Sequence, residues 1–310
     1  LNSKQRRQLT HAFALMLELI NVCEGAYRTW RLRQKDSQPQ IQTEVEQMIF
    51  VLTAHPTEAR SPQTIEVLQR VQSLLISALE THFDFHTQEL HHLFALLLKI
   101  PLGKENKPKV KDEAEAIQSI VLSSENLTLM AQLQKRGLPV RFRTWVGGDK
   151  DGHPGVTEKE LRMSLQMSRS MMIQYVAQKL SDLKHSIELL RANPQMVSSV
   201  RKILNQFAST AQSLKPLRKI QSGDDRHLQD FRQNLNELAR HQQDVVGAPS
   251  PVISELQNLL DLFPALVLPV ELRDESTEIQ RALKSSKSHP RAIERMMIAL
   301  KELTSPKNLQ

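Results

Sequence analysis

Four of the nine glycines in this chain of 310 residues stand close together, at Gly147, Gly148, Gly152 and Gly155. Glycine is the residue that lets a backbone take left-handed turns or approach another backbone closely. Conformational freedom is therefore gathered into one loop, and the rest of the chain is left for regular structure. Nine in 310 is about 3%, against a usual frequency of roughly 7%, so helix is expected to dominate.

Apolar spacing bears this out along most of the length. Phe13, Met16, Leu19, Ile20, Cys23, Tyr27 and Trp30 recur every three to four residues and put an apolar stripe on a long helix. Ile65, Leu68, Val71, Leu75 and Leu79 mark a second helix, and Ile117, Ile120, Val121, Leu129, Met130 and Leu133 mark another. The longest begins at Thr157-Glu158-Lys159-Glu160, where Thr can cap free amides and Glu can reach back, and runs to about Leu190. Residues 195–208, 226–245 and 251–263 read as shorter helices, and the polar residues 209–225 as the best internal linker. Met163, Met167, Met171 and Met172 are expected to fill core.

Three short segments break the helical period: residues 49–53, 140–145 and 266–272. Each is rich in β-branched or aromatic residues and lies between helical stretches, the mark of a strand. Strands separated by helices pair in parallel through crossover connections. The expected class is mostly α with a few parallel strands and no confidently placed domain boundary.

Function classes narrow from composition. With 40% hydrophobic and 24% charged residues the chain can bury a core without disulfides or structural metal. No unbroken apolar run is longer than the six residues 93–98, far short of the 18 or more of a membrane-spanning helix, and no secretion signal opens the chain. No membrane partner is expected. A lone cysteine, Cys23, excludes an internal disulfide and favours a reducing compartment, with the cytoplasm as the expected location. Lys and Arg number 41 against 34 Asp and Glu, a formal charge of +7, but they are interspersed, so nucleic acid is not indicated as a partner.

An unusual polar cluster follows each expected strand. In Thr53-Ala54-His55-Pro56-Thr57-Glu58, the proline holds His55 extended at a strand end, where an imidazole can pass a proton near neutral pH. A histidine capping a turn is the plain alternative. Trp145-Val146-Gly147-Gly148-Asp149-Lys150-Asp151-Gly152-His153-Pro154-Gly155 offers exposed amides to a small anion, or forms a structural turn. Its Asp-x-Asp-Gly lacks the later ligands of a calcium loop. Glu271-Leu272-Arg273-Asp274-Glu275 sets an arginine suited to bidentate phosphate or carboxylate recognition among acids that would hold it; a surface salt-bridge cluster is the alternative. His82, His86, His91 and His92 lack the Glu of a metalloprotease helix and read as solvated.

Val51-Leu52-Thr53-Ala54-His55-Pro56-Thr57-Glu58 and the run from Trp145 to Thr157 resemble two signatures of bacterial and plant-type phosphoenolpyruvate carboxylases. Shorter matches follow in the same order: Asn21-Val22-Cys23-Glu24-Gly25-Ala26-Tyr27-Arg28, Lys109-Val110-Lys111-Asp112-Glu113-Ala114, and Leu272-Arg273-Asp274-Glu275-Ser276-Thr277. The resemblance implies part of a (β/α)8 TIM-type barrel embedded in many helices, the three strands being its first three and residues 296–300 entering the fourth. It implies the joining of bicarbonate to phosphoenolpyruvate through carboxyphosphate and the enolate of pyruvate, giving oxaloacetate and phosphate. Magnesium or manganese is expected as cofactor and a homotetramer as assembly.

Residue by residue, the resemblance gives His55 the catalytic role and Arg273 the contact to the substrate phosphate. Trp145, Gly147, Gly148, Asp149, Lys150 and Asp151 border the substrate, with Lys150 where the family usually has Arg. Ser61 and Pro62 occupy the places of an arginine pair, and residues 99–106 replace a conserved Thr-Asp-Glu-Ile-Arg segment. The metal-binding acids and a glycine-rich arginine loop lie beyond Gln310 in the family, so no metal ligand is assigned here. The chain begins at Leu1 rather than Met, a fragment is expected, and alone it is expected not to turn over. A diverged, non-catalytic binding module is the competing reading.

Overall fold

A computed structural model of the chain describes residues 2–34, 48–52, 60–81, 87–103, 109–150, 156–221, 224–277, 280 and 294–298. Two compact units emerge. The first combines Leu1–Thr43 with Pro56–Pro108, and the second Glu44–His55 with Lys109–Gln310.

The first unit holds α1 (Ser3–Gln34), α2 (Pro62–Thr81) and α3 (Thr87–Leu97). Leu15, Leu19 and Val22 of α1 pack with Leu68 of α2 and Leu97 of α3. The buried face of α1 is therefore offset from the stripe read in the sequence. Leu19 lies inward, but Phe13, Met16, Ile20 and Tyr27 are exposed, because α2 takes the face that carries Leu15 and Ala26. One stretch of α1, mostly unburied, meets the length and composition of a membrane-crossing helix, a test that core helices and signal sequences also pass. Counting unbroken apolar runs misses such a helix, whose few charges are spread.

α2 starts on a hydroxyl cluster. The Thr64 amide donates to the buried Ser61 hydroxyl at 3.1 Å, and both side-chain hydroxyls donate to the Pro101 carbonyl, at 3.1 Å from Ser61 and 2.9 Å from Thr64. Ser61 is thus an N-cap. Beside it Arg60 forms an antiparallel bridge to Gly103 and an ion pair with Glu18 at 3.2 Å.

The second unit is built around α6 (Glu158–Leu189), whose start carries the expected capping box between Thr157 and Glu160. Met172, Val176, Leu180 and Leu183 of α6 pack in one core with α5 (Ser124–Lys135), α7 (Val197–Ser213), α8 (Asp224–Val246) and α9 (Pro251–Leu262). Met172 is fully buried, and Met163, Met167 and Met171 pack against core, as expected. The single helix expected through Ile117 and Leu133 is two: α4 (Val110–Val121) stops, and Ser123 caps α5 by accepting from the Asn126 amide at 3.3 Å. The expected linker is also corrected. α7 continues to Ser213, because the Thr210 hydroxyl is buried and donates to the Gln206 and Asn234 carbonyls at 2.9 and 3.1 Å.

Strands β1 (Met48–Leu52) and β2 (Val140–Thr144) pair in parallel with Met48 opposite Val140 and Leu52 opposite Thr144. Residues 266–272 do not form a regular third strand. They lie parallel to β2 and its continuation through two bridges, Thr144 to Val270 and Asp149 to Arg273. Pro269 has no amide to give to a ladder, and Leu266 turns the chain at a φ of 50°. Residues 294–298 are helical rather than the start of a strand, and residues 299 and 300 lie outside the described part.

α5, α6 and α9 are fastened by a polar knot. The Glu255 carboxylate accepts from Thr128 at 2.8 Å and from the Tyr175 hydroxyl, and pairs with Lys179 at 2.8 Å. Burial pushes the Glu255 carboxyl up, but the bonds from Lys179, Tyr175 and Thr128 outweigh it and leave its pKa below the ordinary value. Burial together with Glu255 pushes the Tyr175 phenol well above its usual 10. A carboxyl held down by folding adds stability that is present above its unfolded pKa of about 4.3 and is lost as pH falls through the folded value. Glu255→Gln is therefore expected to lower the thermal midpoint near pH 7 and to flatten its fall between about pH 5 and pH 3. Calorimetry across that range tests this; an acid limb of unchanged slope would remove Glu255 from that role.

Candidate functional site

The loop after β2 is locked from below. Val146 donates its amide to the Thr144 hydroxyl at 3.1 Å, and its carbonyl accepts from the Ser164 hydroxyl of α6 at 3.1 Å. Gln118 of α4 donates in turn to Ser164, at 3.0 Å to the carbonyl and 3.1 Å to the hydroxyl. Gly147 sits at a φ of 87°, and a Cβ there would come within 2.9 Å of Ser164 Cβ. Gly148 presses on the third segment, where a Cβ would lie inside contact with the Glu271 carbonyl oxygen and 2.6 Å from Val270 Cγ1. These two glycines are thus demanded by turn and packing, whatever ligand the loop meets.

Main-chain bonds then zip the loop to the third segment. Arg273 donates its amide to the Gly148 carbonyl at 2.9 Å, and Lys150 donates to the Arg273 carbonyl at 2.9 Å. Upstream, Thr144 donates to Pro269 at 3.0 Å and Glu271 donates to Thr144 at 2.9 Å. Side chains two apart share a face of an extended chain. Arg143 and Trp145 therefore meet Glu271 and Arg273 across the pair.

Glu271 Oε2 accepts from Trp145 Nε1 at 3.0 Å, and Oε1 from Arg143 Nη1 at 3.3 Å. The Arg273 guanidinium lies over the Trp145 ring, 3.7 Å from its centroid. Such a cation over an indole is worth about 0.5–2 kcal/mol, and a guanidinium that uses its face for the ring has its N–H donors at the edge, where an anion can be bound.

Six of the eight site residues expected from sequence come together here: Trp145, Gly147, Gly148, Asp149, Lys150 and Arg273. His55 and Asp151 lie outside the described residues. One expectation is corrected: Arg273 is held by an aromatic ring, not by flanking acids. Glu271 is turned to Arg143 and Trp145, and Asp274 accepts from the Glu275 amide at 2.9 Å. Among the described residues Arg273 makes no ion pair, while Glu271 of the same cluster pairs with Arg143 at the surface. The sequence reading missed Arg143 and the link from Glu271 to Trp145; the alternation Arg143, Trp145 beside Glu271, Arg273 is the signal that could have found them.

Of the four histidines weighed for metal, His91 and His92 are exposed on α3, and His82 and His86 lie outside the described residues. Among the described residues no three His, Cys, Asp or Glu side chains gather as a metal site. The described residues therefore do not fit the divalent ion that the resemblance implies.

The sequence profile of phosphoenolpyruvate carboxylase matches residues 34–302. The chain belongs to the phosphoenolpyruvate carboxylase family. Among curated relatives, the phosphoenolpyruvate carboxylase of Edwardsiella ictaluri (strain 93-146) is 30% identical over a match that covers 54% of this chain and 24% of that protein. The chain thus spans about a quarter of the length of the curated relative it matches. The locked glycine loop, the stacked arginine and both strands all fall within the stretch that the family profile covers.

Proposed function

We propose that this chain provides part of the active site of a phosphoenolpyruvate carboxylase, which converts phosphoenolpyruvate and bicarbonate to oxaloacetate and phosphate. The observation that carries the reading is the Arg273 guanidinium held over the Trp145 ring, its backbone zipped to the glycine loop. A fork held in that way is suited to the phosphate of phosphoenolpyruvate, whose charge it offsets while the enolate leaves. Lys150, one bridge away, adds a second positive charge on the same loop. His55, three residues past β1, is the group for carboxyphosphate breakdown and for holding the carboxyl group that is transferred.

Clusters at the carboxyl ends of three parallel segments suit an α/β barrel, whose sites gather at that end. We read the fold as the opening of such a barrel, in a cytoplasmic homotetramer whose divalent ion is held by residues outside those described.

A competing reading, a binding module that has left catalysis, draws on Ser61. In place of one of the family's paired arginines stands a serine that is buried and committed to capping α2, while Arg60 is paired with Glu18.

The test is steady-state kinetics on the intact natural protein, with oxaloacetate reduced by malate dehydrogenase. Arg273→Ala is expected to weaken phosphoenolpyruvate use by about 2 kcal/mol, roughly 30-fold, with Arg273→Lys intermediate. Bicarbonate use should change little. Equal use of phosphoenolpyruvate by Arg273→Ala and the parent would end the phosphate assignment, and an intact protein without carboxylation would leave the module reading in its place.

A further inference from the structure

We infer that Glu271 is a positioning residue for phosphate binding, acting on Arg273 through the Trp145 ring; this rests on the phosphate role proposed for Arg273. The carboxylate touches no expected substrate group itself. Its two oxygens are divided between two neighbours on the same face, Trp145 Nε1 at 3.0 Å and Arg143 Nη1 at 3.3 Å. An indole has a single donor, so one bond at that nitrogen fixes the ring against rotation about its bond to the backbone. The ring is the surface on which the Arg273 guanidinium rests, 3.7 Å from its centroid. Turning the ring would move the surface that supports the fork, and bidentate recognition of a phosphate depends on how the fork is placed.

The backbone strengthens the argument. Glu271 and Arg273 flank Leu272 in a segment whose amides at both positions are bonded to the β2 side, at Thr144 and Gly148. The main chain of Arg273 is therefore fixed independently of Glu271. What the carboxylate adds is the orientation of a side chain. Arg143, 44% exposed, keeps the second oxygen of Glu271 occupied by a cation, which favours the charged acceptor that Trp145 meets.

The experiment uses the intact protein labelled with fluorotryptophan, the Trp145 fluorine signal being assigned by its loss in Trp145→Phe. Phosphoenolpyruvate binding is measured by calorimetry with magnesium present. Glu271→Ala should shift or broaden the Trp145 signal and weaken phosphoenolpyruvate binding about tenfold. Glu271→Gln, which keeps a carbonyl acceptor for the indole, should retain the signal and lose only about threefold. In an Arg273→Ala background, Glu271→Ala should add no further loss, since the two act as one unit.

An unmoved Trp145 signal with unchanged affinity in Glu271→Ala overturns the inference, as does an equal loss with and without Arg273. If Glu271→Ala does not fold, Glu271→Gln decides: a folded Gln variant with parental affinity in the presence of Arg273 overturns it. Failure of the underlying reading looks different. There Arg273→Ala itself binds phosphoenolpyruvate like the parent, and the inference falls with it.

Discussion

Asp224→Ala is expected to destabilise the second unit by about 3–5 kcal/mol, the cost of stranding a buried charge. Asp224 opens α8, and its Oδ2 accepts from Arg169 Nη1 of α6 at 3.0 Å, with both side chains under 5% exposed. The same nitrogen donates to the Leu217 carbonyl at 3.1 Å. Burial pulls the Arg169 guanidinium down from its usual value, and Asp224 is the group that holds it up. Arginine does not give up its proton in a folded protein, so loss of the carboxylate leaves a buried cation with the Leu217 carbonyl as its one remaining partner among the described residues. Asp224 also stands at a helix N-terminus, where an acid is favoured. Urea unfolding followed by Trp145 emission, with Trp30 replaced by Phe, gives the number for this unit. Pairing Asp224→Ala with Arg169→Met should recover much of the loss, because removing both charges leaves nothing stranded. A loss below 1 kcal/mol for Asp224→Ala would mean that water reaches Arg169.

Gly148→Ala is expected to cost about 3 kcal/mol, the upper end of overpacking in a closed site. Backbone is the obstacle: a methyl group at Gly148 meets the Glu271 carbonyl, and backbone cannot step aside as the end of a side chain can. Relief requires separating the loop from the third segment, at the expense of the bonds from Arg273 to Gly148 and from Lys150 to Arg273. Gly137 supplies the control. Unlike Gly148 it has a left-handed φ, 78°, but nothing lies within 4 Å of its Cβ position, so Gly137→Ala should cost only the conformational penalty of about 1–2 kcal/mol. The comparison is made by urea unfolding of both variants, with phosphoenolpyruvate binding as a second readout that only Gly148→Ala should abolish. Equal costs at the two positions would show that the loop does not rest on the third segment.

What the sequence disclosed and what it withheld follows from the range of each interaction. Thr157 and Glu160 announce the start of α6 because a capping box is local, closed within four residues. β1 and β2 were legible for the same reason, in short β-branched and aromatic runs between helices. The break between α4 and α5 was missed because the apolar period barely changes across it; only Ser123, a cap residue inside a helical pattern, marks the stop. In residues 266–272 the composition of a strand was right and the hydrogen bonding wrong, since Pro269 and Leu266 interrupt a ladder that side-chain character alone suggests. The choice of an aromatic ring over an acid as the support of Arg273 was out of reach. It depends on the pairing of residues more than 120 positions apart, and nothing near Arg273 in the sequence distinguishes Glu271 from the other acids beside it.

β1 carries a further consequence, in time rather than in space. Met48, Ile49, Phe50, Val51 and Leu52 contain no charge and no proline, and the first four remain 38–45% exposed even with β2 in place. On the ribosome the segment emerges about 90 residues ahead of its partner, which at roughly 5–20 residues per second is a wait of roughly 4–18 s. Through that interval an uncapped, apolar edge is offered to every other nascent chain nearby, the hazard that edge strands present. The ladder that carries the glycine loop therefore forms only once residues 140–144 have emerged, and the yield of folded protein in a cell turns on whether β1 is shielded until then.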